Sequence, residues 1–349
     1  MQIVWTVLAV LLLGLGGFAF YEYQSVKNAA NTAYKSGGLG KAENGSKDSV
    51  LKNSKPLAIL LMGTDTGALG RTDKGRTDSI MVAVLNPKTK KTTLVSFERD
   101  QQVELPDYPE HSPSKLNAAY SYGDAKELAK VLKKYYNIPI NAYVLINMGG
   151  LETIIDKVGG VDVVPNLSFS YEGYTFTKGQ MTHMDGAKSL AYSRMRYDDP
   201  EGDYGRQKRQ RQVLAALLKK AENATTLLNT SFIASLSKQV QTDLTFGDMT
   251  SLAKNYLGAT KNPQTDYTHG TGYMQDGVSY QNISTSERQR ISDLIRKAMG
   301  LKKEQVDAST ASVTSDNNNS SDTTGSNTTT SDATGDYSTE NDQNSSTGY

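Results

Sequence analysis

Two clusters of charged residues carry the chemistry this chain can perform. The first falls at the ends of three apolar runs: Asp65 follows the first, Arg76 and Asp78 precede the second, and Arg99 follows the third. If the first and third runs are strands flanking an antiparallel second one, the four side chains share one sheet edge. Two carboxylates with no histidine beside them suit a hard, oxygen-liganded ion, Mg²⁺ with Mn²⁺ as a substitute. The plainer alternative is an Asp–Arg salt-bridge network. The second cluster is Arg194, Arg196, Asp203, Arg206 and Gln210. Arg194 and Arg196 share a face only on extended backbone, so the helix opening at Asp185 is expected to end near Tyr192. Asp203, Arg206 and Gln210 fall at i, i+3 and i+7, one face of a helix for which Asp203 is a fair N-cap. Several arginines near a helix start suit a pyrophosphate. A solvated basic helix face, with Lys208, Arg209 and Arg211 also charged, is the alternative.

Other chemistries are excluded. The chain has 349 residues and no cysteine, so disulfides, thiolate metal sites and a Cys nucleophile are absent. Its three histidines, His111, His183 and His269, are too far apart for a zinc helix. The glycine-rich Gly63–Gly70 lacks the Gly-Lys-[Ser/Thr] of a phosphate loop, and no Gly-x-Ser-x-Gly elbow occurs. The net charge of +1 hides a polarity: residues 304–349 hold eight acids and no Lys or Arg, which leaves +9 on the rest. A basic folded part suits an anionic ligand or surface.

The elements that must position these groups follow from the apolar pattern. Leu57–Met62, Ser79–Leu85 and Thr92–Phe97 read as buried strands, the last two joined as a hairpin by Asn86-Pro87-Lys88. Ala142–Ile146 and Val161–Val164 are further strands. Helical spacing covers Asp124–Tyr136, Met148–Val158, Asp185–Tyr192, Tyr204–Ala221, Thr225–Val240 and Ser286–Met299. Interleaved helices and strands with one hairpin predict a single α/β domain over residues 56–301, a mixed central sheet with helices on both faces. Ile3–Phe20 is an uncharged apolar run of 18 residues, roughly 27 Å as a helix, which reads as a transmembrane anchor within residues 1–20. Residues 21–55 read as a polar stalk, and the Ser/Thr/Asn/Asp-rich residues 302–349 as a disordered tail.

Six stretches, LAILLMGTDT, GRTDSIMVAVLNP, TTLVSFERD, SKLNAAYSYG, INMGGLETIIDKVGGVDV and MDGAKSLAYSRMRYDDPEGDYGRQKRQRQVL, occur in this order over about Leu57 to Leu218. Together they resemble the LytR-CpsA-Psr family. The resemblance implies a single-pass enzyme of the cell membrane in Gram-positive-type envelopes, with its domain extracellular. Such an enzyme moves a phosphoglycopolymer, of teichoic acid or capsular polysaccharide type, from a polyprenyl pyrophosphate carrier to a peptidoglycan acceptor. It further implies that Asp65 and Asp78 match the acidic positions at Mg²⁺ and pyrophosphate. Arg76, Arg99, Arg194, Arg196, Arg206 and Gln210 match the polar positions around the pyrophosphate, and Asp203 matches an acidic position beside them. No Lys or Arg precedes the apolar run, which departs from the family's usual pattern.

In the implied reaction a sugar hydroxyl attacks phosphorus and polyprenyl phosphate leaves, so arginines and a metal that stabilise charge on oxygen are the main requirement. A polyprenyl tail also calls for an apolar tunnel. Its candidates are Leu60, Met81, Ala83, Val144, Ile146, Leu151, Ile154, Ile155 and Leu214, residues that would equally fill an ordinary core. Two other readings use the same site. One is a polyprenyl-pyrophosphate hydrolase with water as nucleophile, and the other is a non-enzymatic adaptor holding lipid-linked glycan. Regulation of transcription is disfavoured by the anchor and by the lack of a helix-turn-helix, so no nucleic-acid partner is expected.

Overall fold

A computed structural model describes residues 24, 27–28, 30–64, 75–221, 239–260 and 263–310. Along the chain, α1 (Lys47–Lys52) precedes β1 (Leu57–Thr64), β2 (Thr77–Asn86) and β3 (Lys91–Ser96). β4 (Gln102–Val103) pairs with β5 (Ser114–Lys115) ahead of α2 (Ala118–Tyr136), β6 (Ala142–Asn147) and α3 (Met148–Lys157). The short strands β7 (Val161–Val163), β8 (Phe169–Tyr171), β9 (Tyr174–Phe176) and β10 (Thr182–Met184) lead into α4 (Gly186–Arg194) and α5 (Asp203–Ala221). There follow β11 (Val240–Thr242), α6 (Phe246–Asn255), β12 (Pro263–Tyr267), β13 (Thr271–Gln275), β14 (Val278–Asn282) and α7 (Thr285–Ala298).

The central sheet runs β11-β6-β1-β2-β3-β12. β2 is antiparallel to both β1 and β3, whereas β6 is parallel to β1 and β12 to β3. The sheet is therefore mixed, as its hairpin and its crossovers predict. Burial on both faces explains why the central strands read as unbroken apolar runs rather than alternating ones. Ala58, Leu60 and Met62 point to the face covered by α2 and α7, where Leu128, Ile291 and Ile295 complete the main core. Leu57 and Ile59 point the other way, onto Val50 and Leu51 of α1 and Leu252 of α6. Farther along the same face, toward the C-terminal ends of β1 and β6, α3 and α5 stand over the sheet. The register sets Gly63 beside Ser79 and Thr64 beside Thr77, so the end of β1 and the start of β2 share one edge. Phe97 donates its N–H to Ile80 O at 2.9 Å, which brings the residues after β3 to that edge too.

Several boundaries differ from the expected ones. The segment read as a stalk belongs to the folded unit from residue 34 onward. Lys35 N donates to Thr242 O at 2.8 Å, Arg296 pairs with Glu43 at 2.8 Å, and Val50 and Leu51 are buried because two adjacent apolar residues give α1 something to anchor. At the other end Val306 and Thr310 are buried against α7, so the folded unit runs to residue 310, past the expected end at 301. α2 starts at Ala118 rather than Asp124, with a kink where Asp124 has φ 58°. Arg194, not Tyr192, ends α4, because Met195 N closes one more turn on Ala191 O at 3.4 Å before Met195 turns extended. No helix among the described residues is long and apolar enough to cross a membrane. The run Ile3–Phe20, the helix read over Thr225–Val240 as far as residue 238, and residues 311–349 lie outside the described residues, and Val240 begins β11 beside β6 rather than ending a helix.

Candidate active site

The shared sheet edge is where the charges meet. Arg99, just after β3, reaches back to Asp78 on β2, with Nη1 at 2.5 Å from Asp78 Oδ1. The first turn of α5 closes the cluster from above. Arg206 Nη2 lies 2.8 Å from Asp203 Oδ1 and donates to the backbone oxygen of Asp78 at 3.1 Å. Arg99 Nη2 is 3.6 Å from the same Asp203 oxygen, and Arg196 Nε is 4.0 Å from it. Asp203 is thus the hub of three arginines. It is the first residue of α5 and not a cap, its carboxylate being spent on the arginines. On the outer side Asp100 pairs with Lys115 at 2.8 Å. Burial works against the charge on Arg99, but Asp203, Asp100 and Asp78 outweigh it and hold its pKa above the ordinary value. Arg206 goes the other way: burial, with Arg99 nearby, leaves its pKa below the ordinary value.

The loop before α5 is held by an ion pair that the charge pattern of the helix disguises. Arg209 is fully buried and joins α5 to the end of α4: its Nε donates to Tyr192 O at 2.9 Å and its Nη1 pairs with Asp199. The carboxylate of Asp199 then lies so near the helix that a Cβ on residue 205 would be 1.9 Å from it, which only glycine allows. Arg211 is also interior, stacked over the Tyr267 ring at 4.6 Å, and burial pushes its pKa down to about 10. Of the basic residues that suggested a solvated face, Lys208 alone among these three is on the surface.

Beside the cluster opens a cavity of about 210 Å³ between the sheet and α3 and α5. Its floor is Leu61, Met81, Val144 and Ile146, its roof Leu151, Ile154, Val213, Leu214 and Leu217, and its mouth Asp78, Ser79, Asn147, Ser193 and Gln210. Leu61, Val144 and Ile146 sit on central strands yet are only half-buried, because the cavity replaces the side chains that would otherwise cover them. Among the buried polar atoms without a hydrogen-bond partner here are Arg206 Nε, a donor, and Gln210 Oε1, an acceptor. Both are free to bond a polar group that enters the mouth.

The residues expected at the site divide as follows. Asp78, Arg99, Asp203 and Arg206 converge, Arg196 stands at the edge, and Gln210 lines the cavity mouth. Arg194 does not join them: still helical, it points away from Arg196 and pairs with Glu172 at 3.1 Å. Arg76 is exposed at the entry to β2, and Asp65 lies outside the described residues. Met81, Val144, Ile146, Leu151, Ile154 and Leu214 line the cavity, but three tunnel candidates do not. Leu60 has the wrong strand parity and fills the core under α2 and α7. Ile155 points into a satellite core with Val161 and Tyr192. Ala83 shares the face of Met81 but lies two residues farther from the mouth, opposite Ile59.

Two polar residues were missed. Glu98 is 1% exposed, and its carboxylate accepts from Gln207 Nε2 at 2.7 Å. Burial, followed by the nearby Asp203 charge, pushes the Glu98 pKa up to about 7. Gln207 follows Asp203 by four residues, a helical spacing that was open to a reader of the sequence, and Glu98, directly after the third apolar run, carries the same strand-end signal as Arg99.

The donor set can be tested against the expected cation. Among the described residues no three acidic or histidine side chains are grouped to hold a metal ion. Mg²⁺, however, commonly takes one or two carboxylates and completes its shell with water and phosphate oxygens. Asp78, half-buried at the mouth, fits that role.

The LytR_cpsA_psr family model matches residues 20–297. A relative from Enterococcus faecalis, polyisoprenyl-teichoic acid–peptidoglycan teichoic acid transferase TagU, is 40% identical over 302 residues, 86% of this chain and 97% of its own length. The crystal structure of Bacillus subtilis TagV superposes with a TM-score of 0.60 at 30% identity, over 71% of this chain and 98% of that one. An Enterococcus faecalis structure described as a transcriptional regulator gives 0.64 at 34% identity, over 73% and 91%. The mixed α/β fold, the family match across most of the chain and the arginine-lined edge agree: the chain belongs to the LytR-CpsA-Psr family.

Proposed function

We propose that this protein is a transferase that moves a teichoic-acid-type phosphoglycopolymer from a polyprenyl pyrophosphate carrier to peptidoglycan. The observation that carries this reading is the pairing of an arginine cluster, with unsatisfied Arg206 Nε and Gln210 Oε1, and an apolar cavity opening beside it. One end suits a diphosphate and the other a hydrocarbon chain, which together describe a lipid pyrophosphate. The relatives' names supply the rest of the substrate.

In this reading the pyrophosphate lies against Arg99 and Arg206, with Arg196 and Arg76 at the rim. A sugar hydroxyl of the acceptor attacks the phosphorus that carries the glycopolymer. An O–P bond forms, the bond to the bridging oxygen breaks, and polyprenyl phosphate departs with the electron pair. The hydroxyl proton would pass to water at the mouth or to whichever of Asp65 and Asp78 the metal leaves free. Arg99 and Arg206 stabilise the charge that grows on the bridging and non-bridging oxygens, and they do so without reorganisation because Asp203 holds them in place. Mg²⁺, held by Asp78 and Asp65, would supply further charge neutralisation on the phosphate oxygens. The apolar run at residues 3–20 would hold the chain in the cell membrane with the domain outside, where lipid-linked polymer and peptidoglycan meet.

The test is one reaction: the purified full chain, Mg²⁺, a lipid-linked glycopolymer and a peptidoglycan oligomer. Polymer joined to the oligomer through a phosphodiester is the expected product. Free polymer phosphate, formed equally without the oligomer, would replace transfer by hydrolysis. No turnover, with lipid-linked polymer bound, would replace it by an adaptor role.

A further inference from the structure

We propose that Glu98 is a positioning residue of this site: acting through Gln207, it fixes Asp203 and thereby the guanidinium groups of Arg206 and Arg99. The inference rests on the functional reading above and extends it to a residue that does not itself line the cavity.

Glu98 sits at the end of β3 with almost no exposure, a place where a carboxyl is costly unless its oxygens are satisfied. Both are: Oε1 accepts from Asp100 N at 3.3 Å, and Oε2 from Gln207 Nε2 at 2.7 Å. The same Gln207 nitrogen donates its other hydrogen to Asp203 Oδ2 at 3.0 Å. Gln207 Oε1 is buried with no partner, so the amide is oriented by its two carboxylate acceptors and not by its own oxygen. Asp203 is thereby held by one oxygen from behind and presents the other, Oδ1, to Arg206 at 2.8 Å and Arg99 at 3.6 Å. Remove the Glu98 acceptor and the Gln207 amide loses one of the two groups that orient it. The Asp203 carboxylate can then rotate, and the arginines it organises follow. A shift of about 1 Å in such groups lowers a rate by about a hundredfold when the reacting geometry depends on them.

The experiment compares Glu98→Gln, Glu98→Leu, Gln207→Leu and the Glu98→Leu/Gln207→Leu double variant, all as full chains, well below their melting temperatures. Two readouts are taken: transfer kinetics, and calorimetric binding of inorganic pyrophosphate. Glu98→Gln keeps an acceptor for the Gln207 amide and should stay within about threefold of the parent in kcat. Glu98→Leu and Gln207→Leu should each lower kcat by about tenfold or more, with KM rising by no more than the loss in pyrophosphate binding. The double variant should be no worse than either single one, because both break the same chain of contacts. Should Glu98→Leu fail to fold, Gln207→Leu carries the same expectation from the other end. Unchanged kcat in the Leu variants, multiplying losses in the double variant, or a loss in Glu98→Gln equal to that in Glu98→Leu would each overturn the proposal. If the parent transfers nothing, the functional reading fails, yet pyrophosphate binding still decides this one. About fivefold weaker binding in the Leu variants, with Glu98→Gln unaffected, supports it, and equal binding in all overturns it.

Discussion

A prenyl pyrophosphate should raise the melting temperature of this protein by more than inorganic pyrophosphate does, and the difference measures the cavity. Its volume of about 210 Å³ exceeds the roughly 150 Å³ that admits a benzene molecule, so on that scale it accepts about eight carbons, most of two prenyl units. At about 0.8 kcal/mol per buried methylene the gross gain approaches about 6 kcal/mol, less the ordering of the chain and the exposure left at the mouth. A ligand present at about a hundred times its Kd stabilises the folded state by about 2.7 kcal/mol. For a domain of this size, at about 2–4 °C per kcal/mol, that is about 5–10 °C. The assay is a set of thermal melts of the full chain with geranyl pyrophosphate or inorganic pyrophosphate at equal concentration. Val144→Trp places bulk on the cavity floor from the middle of β6 and should remove the prenyl increment while leaving the pyrophosphate response. Ala83 would be a poor site for such bulk, since it does not line the cavity. Equal shifts from the two ligands, or a full prenyl increment in Val144→Trp, would refute the assignment of this space to a lipid tail.

Arg206→Ala should lower transfer by about 10²–10³, the usual loss on removing one preorganised charge contact, and Arg206→Lys should recover only part of it, because a point charge cannot serve Asp203 and Asp78 at once. Steady-state transfer rates check this, and near-normal turnover in the Ala variant would contradict it. EDTA should abolish transfer and added Mg²⁺ or Mn²⁺ restore it, with Asp78→Asn raising the Mg²⁺ concentration needed for half-maximal rate; full activity in metal-free buffer would reject a metal role. Stability should also report the buried Glu98 carboxyl. Its folded pKa of about 7 lies above the ordinary 4.5, so the fold prefers the neutral form. The unfolded chain then binds fewer protons between those values, and stability should fall as pH rises from 4.5 to 7 by an amount on the order of 3 kcal/mol, then level off. Glu98→Gln should match the parent in urea unfolding near pH 4 and exceed it near pH 8; identical pH dependence in the two would show that Glu98 is not the group responsible.

The central strands were legible because both of their faces are buried, which leaves runs such as Leu57–Met62 with no competing pattern. The same property hid which face holds the cavity. Parity separates Leu60 from Leu61, but nothing in two apolar neighbours says which side of the sheet has a helix pressed onto it and which has a gap. Leu60 was therefore misplaced, while Val144 and Ile146, two residues apart on one strand, were placed together. The charged edge was legible for a related reason: charges that interrupt apolar runs must sit at strand ends, and strand ends of alternating direction gather on one edge. What failed was the reading of charge inside a helix. Lys208, Arg209 and Arg211 look alike as letters, yet Arg209 is interior because Asp199, ten residues earlier, comes back to meet it. Local spacing cannot reveal a partner across a loop.

That buried pair bears on the site itself. Replacing such a pair with apolar residues is often neutral for stability, so its presence asks for another reason. Here Arg209 is bonded to Tyr192 O at the end of α4 as well as to Asp199, and the backbone between them carries Arg196. Gly205 lets this loop approach the helix within contact of the first turn that bears Asp203 and Arg206. An apolar contact would hold α4 to α5 without fixing their direction. The planar guanidinium, bonded to Tyr192 O, Met195 O and Asp199, gives that contact a direction. Precision of a fraction of an ångström among charged groups is what charge stabilisation in a transition state requires, and packing alone does not set it.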